Sequence, residues 1–68
     1  MKLRGILSKN LKRLRKEKRL TQESLAYSAN LERSYISKLE RRLSSASVDT
    51  IEKLAHALEI KAWELLAE

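Results

Sequence analysis

The side chains able to do chemistry in this chain are its cations. Fifteen Lys and Arg stand against nine Asp and Glu, a net charge of +6. They are unevenly placed. Residues 1–42 hold 13 Lys/Arg and 4 acids, a net of +9, and residues 43–68 hold 2 Lys/Arg and 5 acids, a net of −3. A basic half joined to a mildly acidic half points to a polyanion on one surface and a different partner on another. Catalytic chemistry has no comparable support. The many Ser residues lack a neighbouring base and a Gly-rich elbow. His56 is the sole histidine and there is no Cys, so no metal set can be assembled. The expectation is a protein that is not an enzyme, with no cofactor, no metal and no readable small-molecule ligand.

The elements that must position these cations are helices. Sixty-eight residues with one Gly, no Pro, and Leu, Ala, Glu, Lys, Arg and Ser dominant make one helical domain. The spacing predicts a first helix from about Lys2 or Leu3 to Lys18, with Leu3, Ile6 or Leu7, Leu11 and Leu14 as its apolar stripe. Thr21 caps a second helix over Gln22–Ala29, which buries Leu25, Ala26 and Ala29. Asn30 is suited to the left-handed conformation that ends a helix, and Leu31 plugs the core. A third helix runs from Arg33 to about Arg41 with Ile36 and Leu39 inward. Leu43 anchors a Ser-rich loop. Ser47 caps a fourth helix over Val48 to about Glu59, with Val48, Ile51, Leu54, Ala55 and Leu58 on one side. A short fifth helix, about Ala62–Ala67, presents Trp63, Leu65 and Leu66. The whole reads as an all-α compact five-helix bundle. Two short helices separated by a three-residue break, within Thr21 to Arg41, have the form of a helix-turn-helix, a device for placing side chains in a DNA major groove.

These residues resemble the phage-repressor-like (Cro and repressor type) helix-turn-helix family from about Leu7 to Leu66. The resemblance is carried by Leu11, Leu14 and Arg15, by Leu20-Thr21-Gln22-Glu23 with Leu25-Ala26, and by Ser34-Tyr35-Ile36-Ser37 with Leu39-Glu40-Arg41. The tail of Ile51, Leu54-Ala55, Ala57-Leu58-Glu59-Ile60 and Trp63-Glu64-Leu65-Leu66 also matches. Within that family the chain looks most like the small controller proteins of restriction–modification systems, and prophage repressors share much of the pattern. It departs from the family at Asn30, where Gly is usual, and at Glu32, where Ser or Thr is usual. It departs again at Arg42 and Glu59, where Gly is often found.

The resemblance implies sequence-specific binding to double-stranded DNA by a cytoplasmic transcriptional regulator, a homodimer on an inverted repeat. It places Arg33, Ser34 and Lys38 at base-reading positions. The chemistry agrees, since Arg pairs in bidentate fashion with guanine O6 and N7. Gln22, Tyr35, Ser37, Arg41 and Arg42 are expected on the phosphate backbone, with Ser44 and Ser45 adding loop contacts. The alternative for Tyr35 is a ring that covers the core. Arg15 and Glu40 are expected as a structural ion pair. Trp63, Leu65 and Leu66 either close the bottom of the bundle or form a dimer surface within residues 48–67.

Two other functions compete: an antitoxin-like protein-interaction module with secondary DNA binding, and a membrane-active cationic peptide. Four further patterned helices would be needless in such a peptide. No apolar run approaches the roughly 20 residues of a membrane span, and the apolar stretch at the start is too short for a signal-peptide core.

Overall fold

The computed structural model describes residues 2–68. Four α-helices, α1 (Lys2–Glu17), α2 (Gln22–Ala29), α3 (Arg33–Glu40) and α4 (Val48–Leu58), are followed by a single 3-10 turn, Ala62–Leu65. Among the described residues there is no strand. The expected fifth helix is therefore this shorter turn, ending at Leu65 rather than Ala67. Its position is fixed from the other end of the chain. The buried amide of Asn10 on α1 donates to the carbonyls of Leu65 at 3.0 Å and Ala67 at 2.8 Å.

One core holds all five elements. Leu7, Leu11 and Leu14 of α1 meet Leu25, Ala26 and Ala29 of α2, Ile36 and Leu39 of α3, Leu54, Ala55 and Leu58 of α4, and Leu65. Three apolar residues assigned to the core are instead exposed: Leu3, Leu43 and Val48. Periodicity marks the apolar face of a helix but not where that face runs past its neighbours. Leu3 and Val48 lie in the first turns of α1 and α4, beyond the packed stretch that begins at Leu7 and Ile51.

The helix ends are built by local chemistry. Thr21 Oγ1 accepts from the Ser24 amide and Ser24 Oγ accepts from the Thr21 amide, both at 2.9 Å, a reciprocal cap on α2. Ser47 Oγ accepts from the Thr50 amide at 3.0 Å and caps α4. Glu32 makes no side-chain cap on α3.

All four α-helices end the same way. Arg19, Asn30, Arg42 and Glu59 adopt left-handed φ of 59°, 58°, 64° and 58°. The next residue, Leu20, Leu31, Leu43 or Ile60, donates its amide back to the carbonyl of Arg15, Ala26, Lys38 or Ala55 at 2.8–3.0 Å. This is the Schellman closure with an apolar residue after the left-handed one. Leu20, Leu31 and Ile60 pack against the core, whereas Leu43 points to solvent.

Candidate nucleic-acid interface

The eight residues of α3 divide cleanly. Ile36, Leu39 and Glu40 are buried, Tyr35 and Ser37 are half-buried, and Arg33, Ser34 and Lys38 are exposed. Spacing of three and four residues brings Ser34, Lys38 and the cap residue Arg41 along one outward edge, with Arg33 beside it at the N-terminal end.

The back of α3 is pinned to α1. Arg15 Nε donates to Glu40 Oε2 at 2.7 Å and Arg15 Nη2 donates to Glu40 Oε1 at 3.1 Å, a bidentate pair in which the Glu40 side chain is 2% exposed. Arg15 Nη1 also donates to the Leu20 carbonyl at 2.8 Å. Ser8 Oγ donates to the Glu40 carbonyl, so both ends of this residue are held by α1. Burial alone would raise the Glu40 carboxyl. The hydrogen bonds from Arg15 and Gln22 and the charges of Arg15 and Lys12 outweigh it and hold the group below the ordinary carboxylate range. The hydrogen bond to Glu40 in turn raises Arg15, against the opposing effect of its own burial. The ion pair expected between Arg15 and Glu40 is thus present.

Gln22 joins this network. Its Nε2 donates to Glu40 Oε1 at 3.1 Å, which fixes the side chain at the start of α2 and leaves the amide oxygen and the second N–H unused among the described residues. Gln22, Arg15, Thr21, Glu23 and Arg33 line one open groove of about 420 Å³, in which Glu23 supplies a negative charge. Gln22 and Arg33 therefore face the same space from the starts of α2 and α3.

Tyr35 is part of the frame. Its ring packs against the core and its hydroxyl donates to the Ser45 carbonyl at 2.8 Å, tying α3 to the loop before α4. The oxygen keeps lone pairs, but the donor is engaged. Arg41 is exposed and its Nε donates to the Ser37 carbonyl at 3.3 Å. Arg42 turns away from the outward edge of α3, and its guanidinium lies over Gly5 of α1, about 3.5 Å from where a Cβ would sit.

The expected dimer residues separate. Leu65 is wholly buried within the protomer and belongs to the core, a correction to its placement on a dimer surface. Leu66 is half-buried. Trp63 is 66% exposed, so it does not plug the bundle. On a one-turn 3-10 helix, residues two apart face different directions, which separates Trp63 from Leu65.

Two residues of the framework escaped the sequence reading, Ser8 and Asn10. Both are polar residues on the buried side of α1, flanked by Leu7 and Leu11, and that position is the signal that was available.

The helix-turn-helix family model matches residues 11–64. The chain belongs to the helix-turn-helix family. A hypothetical transcription factor of Neisseria meningitidis is 39% identical over 64 residues, covering 94% of this chain and 60% of that protein. The helix-turn-helix chain described here thus spans about three fifths of that relative. The restriction–modification controller protein C.AhdI of Aeromonas hydrophila has a crystal structure that superposes with a TM-score of 0.89 at 40% identity, covering 91% of this chain and 94% of the controller. The controller C.Esp1396I, solved as a tetramer in complex with its natural 35 base-pair operator, superposes with a TM-score of 0.86 at 37% identity, covering 94% of this chain and 88% of the controller. The resemblance to restriction–modification controllers is therefore found in both sequence and structure. Among the described residues no helix is long and apolar enough to cross a membrane.

Proposed function

We propose that this helix-turn-helix protein is a sequence-specific regulator of transcription that binds double-stranded DNA as a homodimer on an inverted repeat. In this reading α3 enters the major groove and the protein acts in the cytoplasm without catalysing a reaction. The observation that carries the proposal is the outward edge of α3. Arg33, Ser34, Lys38 and Arg41 project from a helix whose back is fixed by Glu40 and Arg15, and a frame of that kind holds side chains in register with base edges. Arg33 pairs with guanine, Lys38 and Ser34 read neighbouring positions, and Gln22 with the free amides at the start of α2 holds a phosphate. The known operator complex of C.Esp1396I supports the same use of the fold here. Relatives that are transcription factors and controllers favour a regulator over an antitoxin-like module.

A footprint on the DNA upstream of the protein's own reading frame tests the proposal. Protection of an inverted repeat, with half-sites about 34 Å apart, is expected. Affinity should fall by about three to five decades between 50 and 200 mM salt if the dimer touches 6–10 phosphates. A flat salt titration, or uniform protection without a repeat, overturns it.

A further inference from the structure

We infer that the groove between α1 and the C-terminal end of α3 is a second phosphodiester-binding site, which grips DNA backbone beyond the base pairs that α3 reads. The inference rests on the DNA-binding reading above and adds to it a surface separate from the outward edge of α3. The groove has a volume of about 430 Å³ and its walls carry Lys9, Lys12, Lys16 and Arg42. Arg13 also lines it but is occupied by Glu17 at 3.2 Å. The one acid in the lining, Glu40, has both carboxylate oxygens taken by Arg15 and Gln22. Four cations therefore face a common space with no carboxylate paired to them among the described residues.

Helix chemistry alone does not account for this arrangement. Lys16 lies in the last turn of α1, where a cation suits the helix dipole. Lys9 and Lys12 lie in the middle of the helix, where the dipole offers nothing. They repel each other, and Lys12 repels Lys16, at spacings of three and four residues. Arg42 adds an independent observation. This cation comes from the chain just after α3 rather than from α1, and its side chain lines the groove with its guanidinium laid back over Gly5 of α1. Together these make a positive patch whose mutual repulsion a bound polyanion would relieve.

Geometry selects the backbone of DNA as that polyanion. Lys9 to Lys16 spans seven residues of helix, about 10 Å at 1.5 Å per residue. That length matches about three nucleotides of one strand, which advance about 3.4 Å each along the duplex. The groove begins beside Glu40 and Arg42, where α3 ends, so DNA lying along it continues past the stretch that α3 reads.

The test compares two variants of equal charge on a duplex selected by the unaltered protein from a randomised pool. Lys12→Gln/Lys16→Gln removes two groove cations, and Lys53→Gln/Lys61→Gln removes two elsewhere. All four side chains are exposed, and thermal melts establish that both variants fold. Each is titrated with salt on the selected site with long flanks and on the site trimmed of its flanks. The unaltered protein should show a steeper salt slope on the flanked duplex. The groove variant should lose about 2 from that slope per protomer, at about 0.9 for each phosphate contact removed, bind both duplexes alike and keep its base preference. The control variant should keep the slope. Equal losses from the two variants, or no effect of flanks on the unaltered protein, overturn the groove while base reading stands. A pool that yields no preferred sequence sinks the reading of α3, and the groove with it.

Discussion

The Arg15 guanidinium and the Glu40 carboxylate, 25 residues apart in the chain, meet in a bidentate pair at 2.7 and 3.1 Å and join α1 to the back of α3. The pair is asymmetric in burial, with side chains 11% and 2% exposed, and this decides what each substitution does. Arg15→Leu leaves a carboxylate in the core with Gln22 as its remaining hydrogen-bond donor. A loss of about 3–5 kcal/mol is expected, the cost of an uncompensated buried charge. Glu40→Gln should cost less, because Arg15 keeps the Leu20 carbonyl and some contact with water. Chemical denaturation of both variants checks the order. Equal losses would show that Glu40 is better solvated than its position indicates.

The same pair sets a pH dependence whose sign can be reversed. In the unaltered protein the Glu40 carboxyl is held below its unfolded value, so the stability it contributes is present above about pH 4.3 and lost as pH falls through the folded value. In Arg15→Leu the main opposing influence, burial, is left largely unanswered and raises the group above its unfolded value. That variant should gain stability as pH falls from neutral toward about 5, where the unaltered protein gains none from this group. Denaturant midpoints across that range distinguish the two profiles.

Base reading by Arg33 predicts a loss that depends on sequence. Arg33→Ala should weaken binding to the preferred site by about 1–3 kcal/mol and relax the preference at one position of each half-site. Arg33 is exposed and makes no hydrogen bond to the rest of the chain among the described residues, so the fold should be unaffected. Equal weakening on preferred and random duplexes would assign Arg33 to the backbone instead.

The fold was legible wherever a local rule acts alone. The bounds of α2 follow from Thr21 and Asn30, and those of α4 from Ser47 and the apolar run to Leu58, because caps and periodicity are properties of neighbouring residues. Of the four left-handed helix ends, Asn30-Leu31 was legible from the residue type; Arg19, Arg42 and Glu59 were not, because Arg and Glu have no preference for that conformation. What the sequence hid is where neighbours stop. Leu3, Leu43 and Val48 have core chemistry but stay mostly exposed, and Leu65 is core in a tail that Asn10 of α1 holds by the Leu65 carbonyl. The surroundings of the candidate interface residues were legible to a similar depth. Arg33, Ser34 and Lys38 are as exposed as their polarity suggests, while the engagement of Tyr35 with Ser45 and of Gln22 with Glu40 depends on contacts 10 and 18 residues away.

The left-handed helix ends predict a route to a more stable protein. A residue with a Cβ in this conformation is strained by roughly 1–2 kcal/mol, and Gly is not, although Gly costs more entropy on folding. Glu59→Gly should therefore stabilise by about 0.5–1 kcal/mol, and a domain of this size should then melt several degrees higher. Asn30→Gly should change little, since Asn tolerates the conformation. Arg42→Gly should gain as Glu59→Gly does, yet weaken DNA binding if the groove on α1 holds backbone. A calorimetric scan beside a binding titration separates the two effects.

Trp63 and Leu65 are two residues apart and predict opposite phenotypes. Leu65 is wholly buried, so Leu65→Ala should destabilise the protomer by about 2–5 kcal/mol through the cavity it leaves. Trp63 is 66% exposed, and its removal takes little from the core. If it faces a second copy, Trp63→Lys should shift the association equilibrium toward monomer, because a charged side chain would replace a large apolar surface at the contact. DNA binding should weaken with it, since one protomer reads a single half-site, while base preference within that half-site persists. Sedimentation at several concentrations reads the association directly. A Trp63→Lys protein that sediments as the unaltered one does would move the dimer contact to another part of the surface.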